Sequence, residues 1–144
     1  MDLQRSFAVV ALTATAGIHS ALVPDHLREA PYAGGLFIAL SAASLLVAIL
    51  LVARGDRLAW ATGGALALAA MLAYAASRSV GLPSLGDDVG DWLNPLGVAA
   101  LLCELTVALL SCDALLRNTM WSRRRPSAGI PSELASLPAP NSRR

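Results

Sequence analysis

Four long apolar segments, separated by short polar stretches, dominate the chain. They cover residues 7–23, 34–53, 58–76 and about 95–116. Only Glu104 and Asp113 interrupt the fourth segment. A helix needs about 20 predominantly apolar residues to cross about 30 Å of hydrocarbon, and its backbone groups must be paired within the membrane. The pattern therefore predicts an all-α fold, an integral membrane antiparallel four-helix bundle.

The polar stretches predict three connections of different length. Pro24 and Pro31 bracket the first connection, and Pro95 suits the first turn of the fourth helix. The second connection covers only residues 54–57, so the second and third helices should form a tight hairpin. The third connection, residues 77–94, is long, glycine-rich and acidic. We expect the two longer connections to lie on the same side of the bundle.

Composition narrows the class of protein. Of the 144 residues, 56% are hydrophobic and 15% are charged, whereas a soluble domain carries about 25% charged residues. The formal net charge of +1 gives no basic field, so the lipid bilayer and not nucleic acid is the expected partner. Residues 1–117 form the predicted four-span domain, and residues 118–144, rich in Pro, Ser and Arg, are predicted to be a disordered cytoplasmic tail.

Arginine is distributed asymmetrically along the chain, which contains no lysine. The termini and the second connection share one side of a four-span protein and carry Arg5, Arg54, Arg57, Arg117, Arg123, Arg124, Arg125, Arg143 and Arg144. The other side carries only Arg28 and Arg78. Because cytoplasmic segments are enriched in Lys and Arg, we predict that both termini are cytoplasmic. The alternative for the first span is a cleaved signal peptide ending at the small residues Ala14-Thr15-Ala16.

Small residues recur at every fourth position of the third predicted helix. They are Ala61, Ala65, Ala69, Ala73 and Ser77. Helices in lipid associate through close packing of small residues and through polar contacts. The spacing predicts that this face allows a neighbouring helix to approach closely.

Glu104 is the polar residue that the membrane tolerates least. It lies about nine residues into the fourth span, about 13 Å below the outer surface, where an isolated ionised side chain costs several kcal/mol. It should therefore be neutral, paired or next to a wet cavity. His19 and Tyr74 lie at a similar depth in the first and third spans, and Arg78 has a side chain long enough to reach down. We expect Glu104 to meet a partner from this set.

A second histidine, His26, follows His19 by seven residues, and Asp25 and Glu29 lie beside it. If Pro24 does not swing the chain aside, both histidines share one helix face. Histidines and carboxylates are ligand types for zinc and copper. Seven helical residues separate Cα atoms by about 10.5 Å, which is long for chelation, so no metal-ligand set is assigned.

Several short motifs resemble those of a known class of protein. They are Gly17-Ile18-His19, Pro24-Asp25-His26, Glu29-Ala30-Pro31 and Ser77-Arg78-Ser79-Val80-Gly81-Leu82-Pro83. The pattern resembles that of small four-span bacterial integral membrane proteins of unassigned function, and it covers the four helices without the tail. The resemblance implies this architecture and a location in the bacterial plasma (inner) membrane. It brings no assigned activity.

Two classes of function remain. The chain has no nucleotide-binding, serine-hydrolase or zinc-protease motif, so we predict a non-enzymatic protein without a cofactor. In the favoured hypothesis it is an accessory or assembly subunit, with a membrane-protein partner or a second copy of itself. Its polar patch in the outer half then stabilises the bundle and comprises His19, His26, Tyr74, Arg78 and Glu104. In the alternative hypothesis this patch binds a cation, either a transition metal or a proton, for sensing or transport.

Overall fold

The computed structural model describes residues 2–123, and four long helices follow one another along them. They are α1 (Leu3–Glu29), α2 (Pro31–Ala53), α3 (Arg57–Ser79) and α4 (Pro95–Arg123). The described part of the chain contains no strand, and each helix includes a stretch long and apolar enough to cross a membrane. Large apolar side chains such as Leu46, Ile49 and Leu109 cover the outside of the bundle. The predicted fold class is confirmed, and the four helices support a multi-pass membrane protein.

α1 is longer than the span predicted over residues 7–23, because it continues through Pro24 to Glu29. The expectation that Pro24 begins a loop is therefore wrong, and the first connection consists of Ala30 alone. A proline inside a helix removes one backbone hydrogen bond and costs about 3 kcal/mol. Tertiary packing against α2 outweighs this local cost, since α1 and α2 form the most extensive helix contact of the bundle.

The ends of α1 and α2 approach each other closely at Gly34. A Cβ atom at this position would lie 2.6 Å from Leu27 Cγ and 2.9 Å from the Leu27 backbone nitrogen. Only glycine fits at such a contact, so Gly34 fixes where the two helices meet. We call the end of the bundle that carries the α1–α2 and α3–α4 connections the distal end, and the opposite end, which carries the α2–α3 turn, the proximal end.

The α2–α3 hairpin is as short as predicted. Gly55 adopts φ +59°, a left-handed conformation that favours glycine, and it reverses the chain. Asp56 then caps α3, because its Oδ1 accepts a hydrogen bond of 2.9 Å from the backbone N–H of Ala59. α3 therefore starts at Arg57, one residue before the predicted position.

α4 continues beyond its predicted end near residue 116 and reaches Arg123. Residues 118–123 have a helical backbone, so the expectation that the disordered tail begins at residue 118 is wrong. No proline or glycine lies between residue 116 and Pro126, so the local sequence contains no helix stop before that point. The rest of the predicted tail, residues 124–144, lies outside the described residues.

The four helices form a ring in which each one contacts two others. α1 packs on α2 and α4, and α3 packs on α4 and α2. The contact between α2 and α3 is the least extensive of the four, although a short hairpin joins these helices. The two helices therefore diverge from their shared proximal turn toward the distal end.

Two glycines of α3 lie in close contact with its neighbouring helices. A Cβ atom on Gly64 would lie 3.0 Å from Ser111 Cβ of α4, and one on Gly63 would lie 3.2 Å from Val47 Cγ1 of α2. The predicted small-residue face does not pack on a neighbouring helix of the bundle, because its four alanines, Ala61, Ala65, Ala69 and Ala73, are exposed, and of the predicted set Ser77 alone is buried. Alanine is so frequent in this chain that a four-residue spacing arises on several helix faces, and spacing alone does not select the packed one.

Candidate functional site

Glu104 and His19 face each other inside the bundle. Glu104 on α4 is 3% exposed and His19 on α1 is 7% exposed. Glu104 Oε1 lies 3.8 Å from His19 Nε2. This distance exceeds a direct hydrogen bond, so the two groups are adjacent without being bonded to each other. Of the three partners considered for Glu104, the structure selects His19.

The second ring nitrogen of His19 determines how the imidazole meets Glu104. His19 Nδ1 lies 2.9 Å from the backbone carbonyl oxygen of Thr15. A carbonyl oxygen only accepts hydrogen bonds, so Nδ1 carries the hydrogen and donates it. In the neutral ring, Nε2 then presents its lone pair toward Glu104. The hydrogen-bond acceptor His19 Nε2 therefore faces the carboxyl group of Glu104.

A small chamber of about 10 Å³ lies beside Glu104, toward the centre of the bundle. Thr15 and Ser44 line it together with Glu104, and neither hydroxyl makes a hydrogen bond to another described group. Exposed helical hydroxyls behave differently: Thr13 and Thr62 each donate to the carbonyl four residues earlier. The chamber is at the lower limit of the space that one water molecule needs, and apolar atoms form nearly all of its surface.

The ring of Phe37 on α2 contacts the rings of both histidines of α1. Its ring centroid lies 5.1 Å from that of His19, edge to face, and 4.5 Å from that of His26. His26 Nδ1 lies 2.9 Å from the carbonyl oxygen of Leu22, as His19 Nδ1 does from that of Thr15. The two histidines thus share one face of α1, because the helix continues through Pro24.

A cavity of about 300 Å³ occupies the distal half of the bundle. All five residues of the predicted polar patch line it: His19, His26, Tyr74, Arg78 and Glu104. Leu22, Leu40 and Leu66 are among the apolar side chains of its walls. Apolar cavities with a few convergent polar groups are the usual form of small-molecule sites, and this cavity is the candidate functional site.

Arg78 and Tyr74 bind the α3–α4 connection and not Glu104. Arg78 forms an ion pair with the Asp88 carboxylate and also donates to the Asp88 carbonyl oxygen over 3.1 Å. Ser77 donates to the same carboxylate over 3.1 Å. Tyr74 donates to the Trp92 carbonyl oxygen over 3.0 Å, and its ring lies 5.0 Å from the Arg78 guanidinium carbon. These contacts fix the connection over the distal end of the cavity.

Reasoning from the sequence did not single out two of the residues that shape the cavity. Asp88 lies in the acidic third connection, and nothing in that stretch of sequence distinguishes it from Asp87 or Asp91. Phe37 is one apolar residue among many in the second span and gives no signal at all. Among the described residues, no group of three or more His, Cys, Asp or Glu side chains is placed to hold a metal ion.

The chain was compared with protein families, curated proteins and solved structures. No family model, curated protein or solved structure matches the chain significantly. The resemblance to small four-span bacterial membrane proteins, the bacterial membrane and the cytoplasmic termini therefore stay predictions.

Proposed function

We propose that this protein binds a proton at the His19–Glu104 pair, which is reached through the distal cavity, and that it serves in proton sensing or transport. One observation carries the proposal: a carboxyl group and an imidazole lone pair, both buried, lie 3.8 Å apart at one end of a cavity. The proposal selects the proton from the cations considered in the sequence analysis. Among residues 2–123, no set of three or more His, Cys, Asp or Glu side chains is placed to hold a transition metal.

The pair has three protonation states that differ by one charge each. With a hydrogen on Nδ1 and one more on either Glu104 or His19 Nε2, the pair is neutral overall. Uptake of a further proton makes it positive, and loss of the shared proton leaves a carboxylate in a protein interior that stabilises ions poorly. Because the two groups are so close, their protons titrate as those of a pair and not of either residue alone.

The other charged and titratable groups of the cavity lining have partners of their own. Arg78 of α3 is paired with Asp88 of the connection, Tyr74 is hydrogen-bonded to a backbone carbonyl, and His26 lies on the same face of α1. The part of α2 that lines the cavity contributes only apolar side chains. The His19–Glu104 pair is therefore the buried group in the lining whose charge can change without breaking an ion pair.

The competing hypothesis is an accessory or assembly subunit in which the pair only stabilises the bundle. In that case the protonation of Glu104 would have no consequence, and a neutral amide would replace the carboxyl group without effect. The two hypotheses differ in one measurable property, which is whether Glu104 changes its protonation between acidic and alkaline pH.

Infrared difference spectroscopy of the full chain in lipid nanodiscs tests this. We expect a C=O stretch from a protonated buried carboxyl group that decreases as the pH rises. Glu104→Gln should remove this band, and His19→Gln should move its midpoint. A band that persists in Glu104→Gln, or a spectrum without any pH-dependent buried carboxyl, would refute the proposal.

Two matched variants control for indirect effects. Glu29→Gln removes an exposed carboxylate at the end of α1 and should leave the buried band unchanged. His26→Gln removes the second histidine. Its Nδ1, like that of His19, is paired with the carbonyl oxygen four residues earlier, but the ring lies further from Glu104. This variant should shift the midpoint of the carboxyl band less than His19→Gln does. Equal shifts from the two histidine variants would contradict the assignment of His19 as the partner.

We further propose that the distal end faces the outside of the cell, as the arginine distribution favours. The test is the labelling of single cysteines by an impermeant thiol reagent in intact cells, in a chain with Cys103 and Cys112 replaced by alanine. Asp91→Cys should react at once, whereas Arg54→Cys in the α2–α3 turn should react only after the membrane is opened. The reverse order would contradict this orientation.

A further inference from the structure

We infer that the distal cavity is a binding site for a small, uncharged lipophilic alcohol or phenol, which enters from the bilayer between α2 and α3. Its hydroxyl group lies at the His19–Glu104 pair and its apolar body lies along the leucines of the wall. The inference deepens the proposed function and rests on it, because it assigns a ligand to the same cavity.

The opening toward the bilayer follows from the exposure of the lining residues. Leu36 of α2 lines the cavity and is 61% exposed, and Ala69 and Ala73 of α3 line it and are also exposed. These residues belong to α2 and α3, which form the least extensive of the four helix contacts in the ring. The gap between α2 and α3 is therefore lined by apolar and small side chains, and it connects the cavity with the lipid phase. A ligand that dissolves in lipid reaches the cavity by this route.

The polar end of the ligand follows from the gap between His19 and Glu104. At 3.8 Å the two side chains do not bond to each other, so each keeps hydrogen-bonding capacity that faces the cavity. His19 Nε2 requires a donor, and Glu104 offers a carboxyl group. One hydroxyl group is both donor and acceptor, so it can form hydrogen bonds with both residues at once. An ether oxygen only accepts a hydrogen bond, and an alkane forms none.

The absence of charge on the ligand follows from the charges of the lining. Arg78 is paired with Asp88, and the His19–Glu104 pair is neutral when it shares one proton. The lining therefore offers no unpaired charge to an anion or a cation. Most of the wall is apolar, with Leu22, Leu40 and Leu66 among its side chains, and burial of a charged group there would be costly. The volume of about 300 Å³ lies at the lower end of small-molecule sites.

Photolabelling of the full chain in lipid vesicles tests the inference. The probe is a diazirine derivative of octanol, and the comparison compound is the same derivative of octane, which lacks the hydroxyl group. We expect the alkanol to label peptides that contain residues 36–40 and 69–73, and an excess of unlabelled octanol to suppress this labelling. The alkane should label the same peptides at least about tenfold less, which corresponds to the loss of the hydrogen bonds at the pair.

Two alanines of α3 provide a matched pair of variants for the route. Ala73→Phe places a ring in the gap between α2 and α3 and should reduce alkanol labelling by about tenfold or more. Ala65→Phe adds the same ring at an exposed alanine outside the cavity lining and should leave labelling unchanged. His19→Phe removes the acceptor and should abolish the preference for alkanol over alkane.

Each result supports or overturns the inference. Equal labelling by alkanol and alkane would mean a crevice for acyl chains and would overturn it, as would labelling that Ala73→Phe leaves intact. The infrared test of Glu104 is made without any probe, so the two failures are distinguishable. If the carboxyl band depends on pH but the alkanol does not label selectively, the inferred ligand site is refuted and proton binding stands. If no pH-dependent carboxyl band is found, proton binding is refuted, independently of the photolabelling result.

Discussion

Replacement of Glu104 by leucine should weaken the bundle while making α4 easier to insert. Leucine is similar in size and fully apolar, so it would stabilise the interior of a water-soluble protein. In a bilayer, however, lipid tails are as apolar as leucine, and burying leucine between helices gains little. The substitution also leaves His19 Nε2 facing an apolar side chain in the bundle interior. The two consequences have opposite signs and can be measured separately.

The magnitude follows from the burial of both partners. The two side chains are 3.8 Å apart, in contact without a direct hydrogen bond, and polar contacts between membrane helices contribute about 0.6 kcal/mol on average and at most about 1.7 kcal/mol. We therefore expect Glu104→Leu to lower the free energy of unfolding by about 0.6–1.7 kcal/mol. Glu104→Gln keeps a donor and an acceptor at the same place and should lower it by less than about 0.5 kcal/mol. Insertion of α4 should improve in Glu104→Leu by about 3 kcal/mol, the difference between a carboxylate and leucine on insertion scales.

Reversible unfolding in mixtures of lipid and denaturing detergent, followed by circular dichroism, measures the first quantity, and glycosylation-based insertion assays measure the second. Thr106→Leu is the matched control, because its hydroxyl group on the same helix donates to the Leu102 carbonyl and contributes no contact to the pair. It should change the free energy of unfolding by less than about 0.5 kcal/mol. If Glu104→Leu were as stable as the unmodified protein, a stabilising contact between Glu104 and His19 would be refuted.

Two further predictions concern contacts outside the pair. Gly64→Leu should lower the free energy of unfolding by about 1–3 kcal/mol, because its Cβ atom would lie 3.0 Å from Ser111 Cβ. Gly35→Leu is the control: its Cβ atom would meet no atom within 4 Å, so the free energy of unfolding should hardly change. Equal effects of the two variants would contradict the packing of α3 on α4. Arg78→Gln should release the carboxylate of Asp88 and raise amide hydrogen exchange in the α3–α4 connection by about tenfold, measured by mass spectrometry, without unfolding the bundle. Unchanged exchange would show that other contacts hold the connection.

The sequence alone was sufficient for the number and type of the long elements. Hydropathy is a local property, and backbone groups in lipid must be paired within each helix, so four apolar segments imply four helices. The depth of Glu104 followed from its position in the fourth span in the same way. The ends of the helices were less predictable: Pro24 lies inside α1, because packing against α2 through Gly34 outweighs the local preference of proline.

Only the tertiary structure decided which groups meet. His19, Tyr74 and Arg78 all lie at depths from which Glu104 could be reached, and the choice among them depends on how each helix is rotated about its axis. That rotation is set by close contacts such as those of Gly63 and Gly64, which hydropathy does not distinguish from the exposed alanines of the same helix. The cavity has the same origin. It exists because α2 and α3 diverge toward the distal end, and the distance between two helices is a property of their mutual packing and not of either sequence segment.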